Sequence, residues 1–294
     1  MVLRYINRMS RPLRIIRADI MGYCMGVRRA VEAAEEALVK KAHFTVYTYG
    51  PLIHNPSALS RLAAAGVIVI GENGTKLPED LSRSSVIIRA HGIPPKERAE
   101  LVRRNANIID ATCPRVLSSQ KRAAQYSAMG YAVILAGDRN HGEIAGIAGY
   151  APGCIVLENF HDAEQLDFYP ERAVLISQTT IKQSEYDAIA GVLKKKISEL
   201  KVFNTICPAT AERQKALGDI AGKVDGIIVI GGKNSANTQR LFSTAKDLTP
   251  NAWHIETPEE IPDNVYSLSC IGITAGASTP DEVIDAVEQE LQKG

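Results

Sequence analysis

The sequence lacks any C-x-x-C pair, which removes the ordinary zinc-ribbon, thioredoxin-like and bacterial ferredoxin spacings. No apolar run approaches the roughly 18 residues that span a bilayer. There is no G-x-G-x-x-G, and GGKNS at Gly231 has neither the glycine spacing nor the Gly-Lys-Ser/Thr ending of a P-loop. Charge of one sign is missing as well. Lys plus Arg is 34 against 33 Asp plus Glu, a net charge of +1, so no long-range field favours nucleic acid or an anionic membrane. Any anion that binds must meet a local site. Five cysteines, an odd number set far apart, are too few for a disulfide-stapled secreted scaffold and make a reducing cytoplasm the expected compartment.

What is present is an ordinary globular composition, 45% hydrophobic and 23% charged, which excludes intrinsic disorder. At 294 residues, length alone suggests two domains at roughly 150 residues each. The stretch MVLRYINRMSRPLRIIR carries five arginines and no acid, and reads as a short basic leader running into a strand. Beyond it, β-branched runs such as FTVYTYG, SVIIRAHG, AVILAGD, AVLISQTT, GIIVIGG and CIGITAG alternate with helical stretches. That alternation predicts α/β units on parallel sheets, with functional groups at the carboxyl ends of the strands.

An internal repeat refines this. A shift of 94 residues lays Cys113 on Cys207, Pro114 on Pro208, Gln120 on Gln214 and Lys121 on Lys215, and then VILAGDRNHGE on IIVIGGKNSAN without a gap. His141 and Glu143 thereby fall on Ser235 and Asn237. A looser third copy surrounds Cys24, with His54 after its strand. Each copy ends in a second strand with a polar tip: His91, Thr179 and Ser278. The chain reads as three similar α/β units, 1–112, 113–206 and 207–294, each contributing one cysteine.

If the units pack about a pseudo-threefold axis, Cys24, Cys113 and Cys207 meet at its centre. Three thiolates suit zinc completed by a fourth ligand such as His, or a cubane 4Fe-4S cluster with one iron left open; the cluster is the better chemical fit. Around that centre the strand ends set His54, His91, His141, Glu143, Thr179, Ser235, Asn237 and Ser278, a set rich in anion-binding and proton-donating groups. Helices following Cys24, Cys113, Cys207 and Asn237 would add N-terminal amides, which hold phosphate without a basic patch. Cys154 and Cys270 read as core thiols, Lys194 to Lys196 as a solvated helix end, and His43, His161 and His254 as packing or surface residues.

At this point the residues resemble a known family. GYCMGVRRAV at Gly22, YGPLIHNP at Tyr49, RAHGI at Arg89, DATCPRV at Asp110, NHGEIAGI at Asn140, SQTT at Ser177, NTICPAT at Asn204, GGKNSANTQRL at Gly231 and ITAGASTP at Ile273 resemble, in order, the motif series of the 4-hydroxy-3-methylbut-2-enyl diphosphate reductases, the IspH or LytB proteins. The resemblance implies a three-domain α/β trefoil around a central iron-sulfur cluster. It implies cluster ligation by Cys24, Cys113 and Cys207 and diphosphate binding by His54, His91, His141, Ser235, Asn237 and Ser278. Proton delivery falls to Glu143 with its neighbour Thr179. The implied reaction is a reductive dehydroxylation: two electrons and two protons enter, water leaves, and isopentenyl and dimethylallyl diphosphates form. With no nucleotide-binding motif, electrons must come from a separate carrier, a ferredoxin or flavodoxin.

Two positions depart from the family. Ala236 stands where a second serine is usual, and a hydrogen bond to a charged group is worth roughly 1.5 to 3 kcal/mol, or about 10- to 150-fold in binding. Gly142 replaces a frequent proline, which leaves the backbone before Glu143 less restrained. Both leave open a same-fold reductase with another substrate; a cluster sensor without turnover is the rival of a different class.

Overall fold

The computed structural model describes residues 13–40, 44–71 and 74–293. The leader up to residue 12, and His43, lie outside the described residues. The chain folds as two compact units, residues 24–211 and residues 13–23 with 212–293.

The first of these holds two four-stranded sheets. One has the order β3-β2-β4-β5, from β2 (Thr45–Tyr49), β3 (Val67–Ile70), β4 (Ser84–Ile88) and β5 (Asn107–Asp110). The other has the order β7-β6-β8-β9, from β6 (Ala132–Ala136), β7 (Ile155–Leu157), β8 (Arg172–Ser177) and β9 (Glu199–Phe203). The helices are α1 (Met25–Lys40), α2 (Pro56–Ala64), α3 (Pro95–Arg103), α4 (Pro114–Ala128), α5 (Gly142–Ala148), α6 (Phe160–Glu164) and α7 (Gln183–Lys196). All strand pairings are parallel. Central strand β4 is buried at every position, as parallel strands covered on both faces must be. Helix α4 buries Val116, Ser119, Gln120 and Ala123, an i, i+3, i+4, i+7 stripe.

The second unit repeats the arrangement. Its sheet has the order β1-β12-β10-β11, from β1 (Arg14–Arg17), β10 (Gly226–Ile230), β11 (Ala252–Ile255) and β12 (Cys270–Ala275), again all parallel. Helix α8 (Pro208–Ala221) crosses the division, and α9 (Ala236–Leu248) and α10 (Asp281–Lys293) complete the unit. The 94-residue shift read from the sequence carries β6 onto β10 and the first residues of α4 and α5 onto those of α8 and α9 with no offset.

One boundary differs from expectation. Strand β1, assigned by sequence to the first unit, pairs with β12, from Arg14 opposite Cys270 to Arg17 opposite Ile273. It takes the place that β5 and β9 take in the other sheets. The physical reason is that, among the described residues, β12 is followed by helix α10 and by no further strand, which leaves that edge of the sheet open to β1. Cys154 and Cys270 are half-buried rather than core residues, although Cys154 packs against the cluster around Ile144 and Val174. Trp253 lies on the edge strand β11.

Leu175 in β8 is fully buried among Ile134, Tyr186, Ile189 and Leu193. Leu175→Ala therefore costs about 2–5 kcal/mol of stability, read by urea unfolding.

Candidate active site

Every expected site residue sits at a strand's carboxyl end or a helix's first turn. In the 24–211 unit, His54 follows β2, His91 follows β4, His141 follows β6 and Thr179 follows β8. The three imidazoles come together, with ring centroids 5.3, 5.9 and 4.8 Å apart. Gly92 at φ +69° makes the turn after His91, closed by its N–H donating to the Arg89 carbonyl at 3.0 Å. A Cβ on Gly92 would lie 2.3 Å from Gln120 Nε2.

His141 caps α5, its Nδ1 accepting from the Glu143 N–H at 3.1 Å. That bond assigns the proton of the neutral ring to Nε2, the edge left to act as a donor. Glu143 is buried and grips Thr179 twice. The Thr179 N–H donates to Oε1 and the Thr179 hydroxyl to Oε2, each at 2.7 Å. The Thr179 carbonyl in turn accepts from the Cys207 N–H at 2.8 Å and the Thr210 hydroxyl at 3.3 Å.

The three cysteines each stand immediately before a helix: Cys24 before α1, Cys113 before α4 and Cys207 before α8. All are free and half-buried. Cys24 Sγ accepts from the Val27 N–H at 3.5 Å. Burial pushes the Cys113 thiol up, the Arg115 and Val116 amides pull it down, and Cys24 and Cys207 push it up again. The three sulfurs therefore lie within electrostatic reach of one another, with helix amides aimed at two of them. Gly26 belongs to this contact, because a Cβ there would stand 3.1 Å from Cys113 Sγ. The Cys113 N–H donates to the Ala90 carbonyl at 3.0 Å, so one thiol is tied to the turn that carries His91.

In the other unit Ser235, Asn237 and Ser278 gather. Ser235 caps α9 by accepting from the Thr238 N–H at 3.4 Å, and Ser278 Oγ donates to Ser235 Oγ at 3.4 Å. Asn237 lies inside the first turn of α9 rather than before it, and its buried Nδ2 has no hydrogen-bond partner among the described residues. Ala236 is the first residue of that helix, where its own N–H stays free of intrahelical bonding.

Sequence reasoning passed over Arg89, which is 1% exposed, and the buried amides of Gln120 and Gln178. Nothing in composition or spacing marks Arg89 as buried. The one available signal was Gly142, since the Arg89 guanidinium occupies the space a Cβ there would need.

The LytB protein family model matches residues 15–292. The chain belongs to the LytB family. Among its relatives is the 4-hydroxy-3-methylbut-2-enyl diphosphate reductase of Treponema denticola, 53% identical over 95% of this chain and 99% of the relative. The protein of the same name from Aquifex aeolicus is 42% identical over 95% of this chain and 96% of the relative. Two solved structures share the LytB fold. One is of (E)-4-hydroxy-3-methyl-but-2-enyl diphosphate reductase, described as the terminal enzyme of the non-mevalonate pathway. It matches at a TM-score of 0.70 and 41% identity over 96% of this chain and all of that one. The E-1-hydroxy-2-methyl-but-2-enyl-4-diphosphate reductase of Plasmodium falciparum matches at 0.84 and 30% identity, over 96% of this chain and 87% of that one. The three-unit α/β class expected from the sequence is thus the class this LytB chain has.

His91 supplies a stability test. Its Nδ1 is buried, and burial, then His141, Arg89 and His54, hold it well below the usual histidine value of 6.5. The unfolded chain takes up this proton near pH 6.5 while the folded chain does not. Stability is therefore full above that pH and falls as the pH drops below it, by at most about 1.4 kcal/mol per pH unit. Urea unfolding at pH 7.5 and 5.5 checks this, and His91→Gln flattens the difference.

Proposed function

We propose that this chain reduces 4-hydroxy-3-methylbut-2-enyl diphosphate to isopentenyl and dimethylallyl diphosphate, with a 4Fe-4S cluster held by Cys24, Cys113 and Cys207. The observation that carries this is Thr179, which bonds both oxygens of Glu143 and, through its carbonyl, the N–H of Cys207. A buried acid is thereby coupled to one of three convergent thiols. The thiol set fits an iron-sulfur group: three soft ligands in mutual range, amides donating to sulfur, and no fourth protein thiol among them. Bound there, the cluster supplies electrons and a Lewis-acidic iron for a poor leaving group.

The chain's own residues do the rest. His141 offers Nε2–H to the diphosphate, with His54 and His91 beside it. Ser235, Asn237 and Ser278 carry over from the family's motifs as further diphosphate ligands, and the amides of α9 add donors that compensate the missing hydroxyl at Ala236. Glu143 holds the proton that leaves with the hydroxyl as water when the C–O bond breaks. Delivery through Thr179 needs one rearrangement: the Thr179 oxygen accepts from the Glu143 carboxyl while its own proton turns toward the substrate. Grip on the remote diphosphate fixes the reacting carbon over the site. The alternative, a paralogue with another substrate, is not favoured by relatives of 38–53% identity that bear this reductase name.

The electron donor we infer is a small acidic carrier of the ferredoxin or flavodoxin type. Helix α1 begins with Arg28 and Arg29, and α4 carries Arg115, Lys121 and Arg122 with no acid at all. Arg28, Arg29 and Arg115 lie in the first turns, next to Cys24 and Cys113, where cations oppose the macrodipole. Free thiols fit a reducing cytoplasm, and among the described residues no helix is long and apolar enough to cross a membrane.

Anaerobic purification is expected to give a brown protein with about four irons and four sulfides per chain; one zinc without sulfide overturns the cluster. Glu143→Gln should keep the cluster spectrum and lose turnover by about 10²- to 10⁴-fold. Turnover driven by a reduced acidic carrier should fall with added salt, while dithionite-driven turnover stays level.

A further inference from the structure

Helix α4 begins after Cys113 and, two turns on, buries Gln120 on its inner face at 2% exposure. The Gln120 Nε2 is buried and has no hydrogen-bond partner among the described residues. An unpaired buried donor costs about 1–3 kcal/mol. A methionine of the same length would fill the position without that penalty. An amide kept there calls for a reason other than packing.

Its surroundings supply one. Nε2 presses on the turn that carries His91: a Cβ on Gly92 would lie 2.3 Å from Nε2 and 3.3 Å from Cδ. On the other side stands Gly146 in α5, the helix capped by His141. A Cβ on Gly146 would lie 2.9 Å from the His91 carbonyl oxygen, 3.4 Å from that of Gly92 and 3.5 Å from Gln120 Nε2. The three polar atoms thus border one gap, which stays open because Gly146 has no side chain. Gly146 has no positive φ, so volume and not backbone conformation keeps it a glycine. The N–H edge and the two carbonyl oxygens attract across that gap. The same helix also holds the turn on its other side, where the Cys113 N–H donates to the Ala90 carbonyl at 3.0 Å. His91 is therefore gripped from α4 at the residue before it and at the residue after it.

We propose that Gln120 is a positioning residue for diphosphate binding: its amide, wedged against Gly92, sets where the His91 turn stands relative to Cys113 and α5. This rests on the functional reading above and deepens it, because it names what aligns one of the three imidazoles with the diphosphate. Gln120 is buried and acts only through the turn. Its influence falls on binding rather than on the proton step, since Glu143 is held separately by the two bonds from Thr179 at 2.7 Å. The thiol position on the same helix keeps its own tie to Ala90.

The test uses anaerobic holoenzyme with dithionite as reductant and inorganic pyrophosphate as the binding probe. Wild type is compared with Gln120→Met, Gly146→Ala and, as a control on the exposed face of α4, Gln125→Met. Gln120→Met keeps the volume and removes the amide. It should weaken pyrophosphate and raise KM for the diphosphate substrate about 3- to 10-fold, with kcat and the cluster spectrum unchanged and the urea midpoint level or higher. A merely structural residue would instead lower the midpoint and spare the binding. Gly146→Ala puts a methyl group into the gap while Gln120 stays, should shift pyrophosphate and KM in the same direction, and decides the matter if Gln120→Met does not fold. Gln125→Met should match wild type. Pyrophosphate affinity and KM unchanged in both Gln120→Met and Gly146→Ala, a fall in kcat as large as the rise in KM, or equal losses in Gln125→Met, overturns the proposal. Wild type that binds pyrophosphate in a Gln120-dependent way but fails to reduce the hydroxymethylbutenyl diphosphate would instead sink the functional reading alone.

Discussion

Thr179 is bonded in three directions at once, and the buried polar centre of the 24–211 unit hangs on that. Its amide and hydroxyl take both oxygens of Glu143, and its carbonyl receives the Cys207 amide. A buried carboxyl left without such partners would cost several kcal/mol in desolvation. Held this way, it is tolerated in a nearly dry place and aimed by two bonds instead of one. The equivalent join in the preceding repeat runs from the Cys113 amide to the Ala90 carbonyl, beside His91. Two of the three cysteines are thus fixed by the backbone of a strand end that carries a polar tip, so the sulfur positions and the polar tips cannot drift independently.

The repeat was legible because it preserves elements that chemistry cannot vary freely. The glycines that end β6 and β10, Gly137 and Gly231, both donate their N–H to the end of the neighbouring strand, Leu157 and Ile255, at 2.9 Å. Gly50 does the same to Ile70 at 2.8 Å in the looser copy. What varies is the tip: His141 and Glu143 in one repeat, Ser235 and Asn237 in the next. The β-branched runs therefore exposed the strands, and the shared register exposed the tips.

Other features were not legible, for reasons that are physical. The pairing of β1 with β12 depends on which sheet lacks a strand, and RIIR reads the same whichever edge it joins. Arg89 looks in sequence like any strand-end arginine; its burial follows from a contact with Gly142, more than fifty residues away. The departure at Gly142, read from sequence as a looser backbone, turns out to be a matter of volume. The sequence reading starts α9 after Asn237, two residues late, because a helix start is defined by its cap, and Ser235 is the residue that caps.

The strand taken from the far end of the chain has a consequence for how the molecule is made. Arg14 pairs with Cys270, so the sheet that contains β1 cannot be finished until the chain has been made as far as β12. Residues 24–211, with all three thiols, the imidazoles and Glu143, are complete well before that. Long-range parallel pairing is intrinsically slow, and the strand that must wait, β1, precedes its partner by more than 250 residues. Both sheets of residues 24–211, by contrast, pair only within that stretch, so the late closure belongs to the other unit alone.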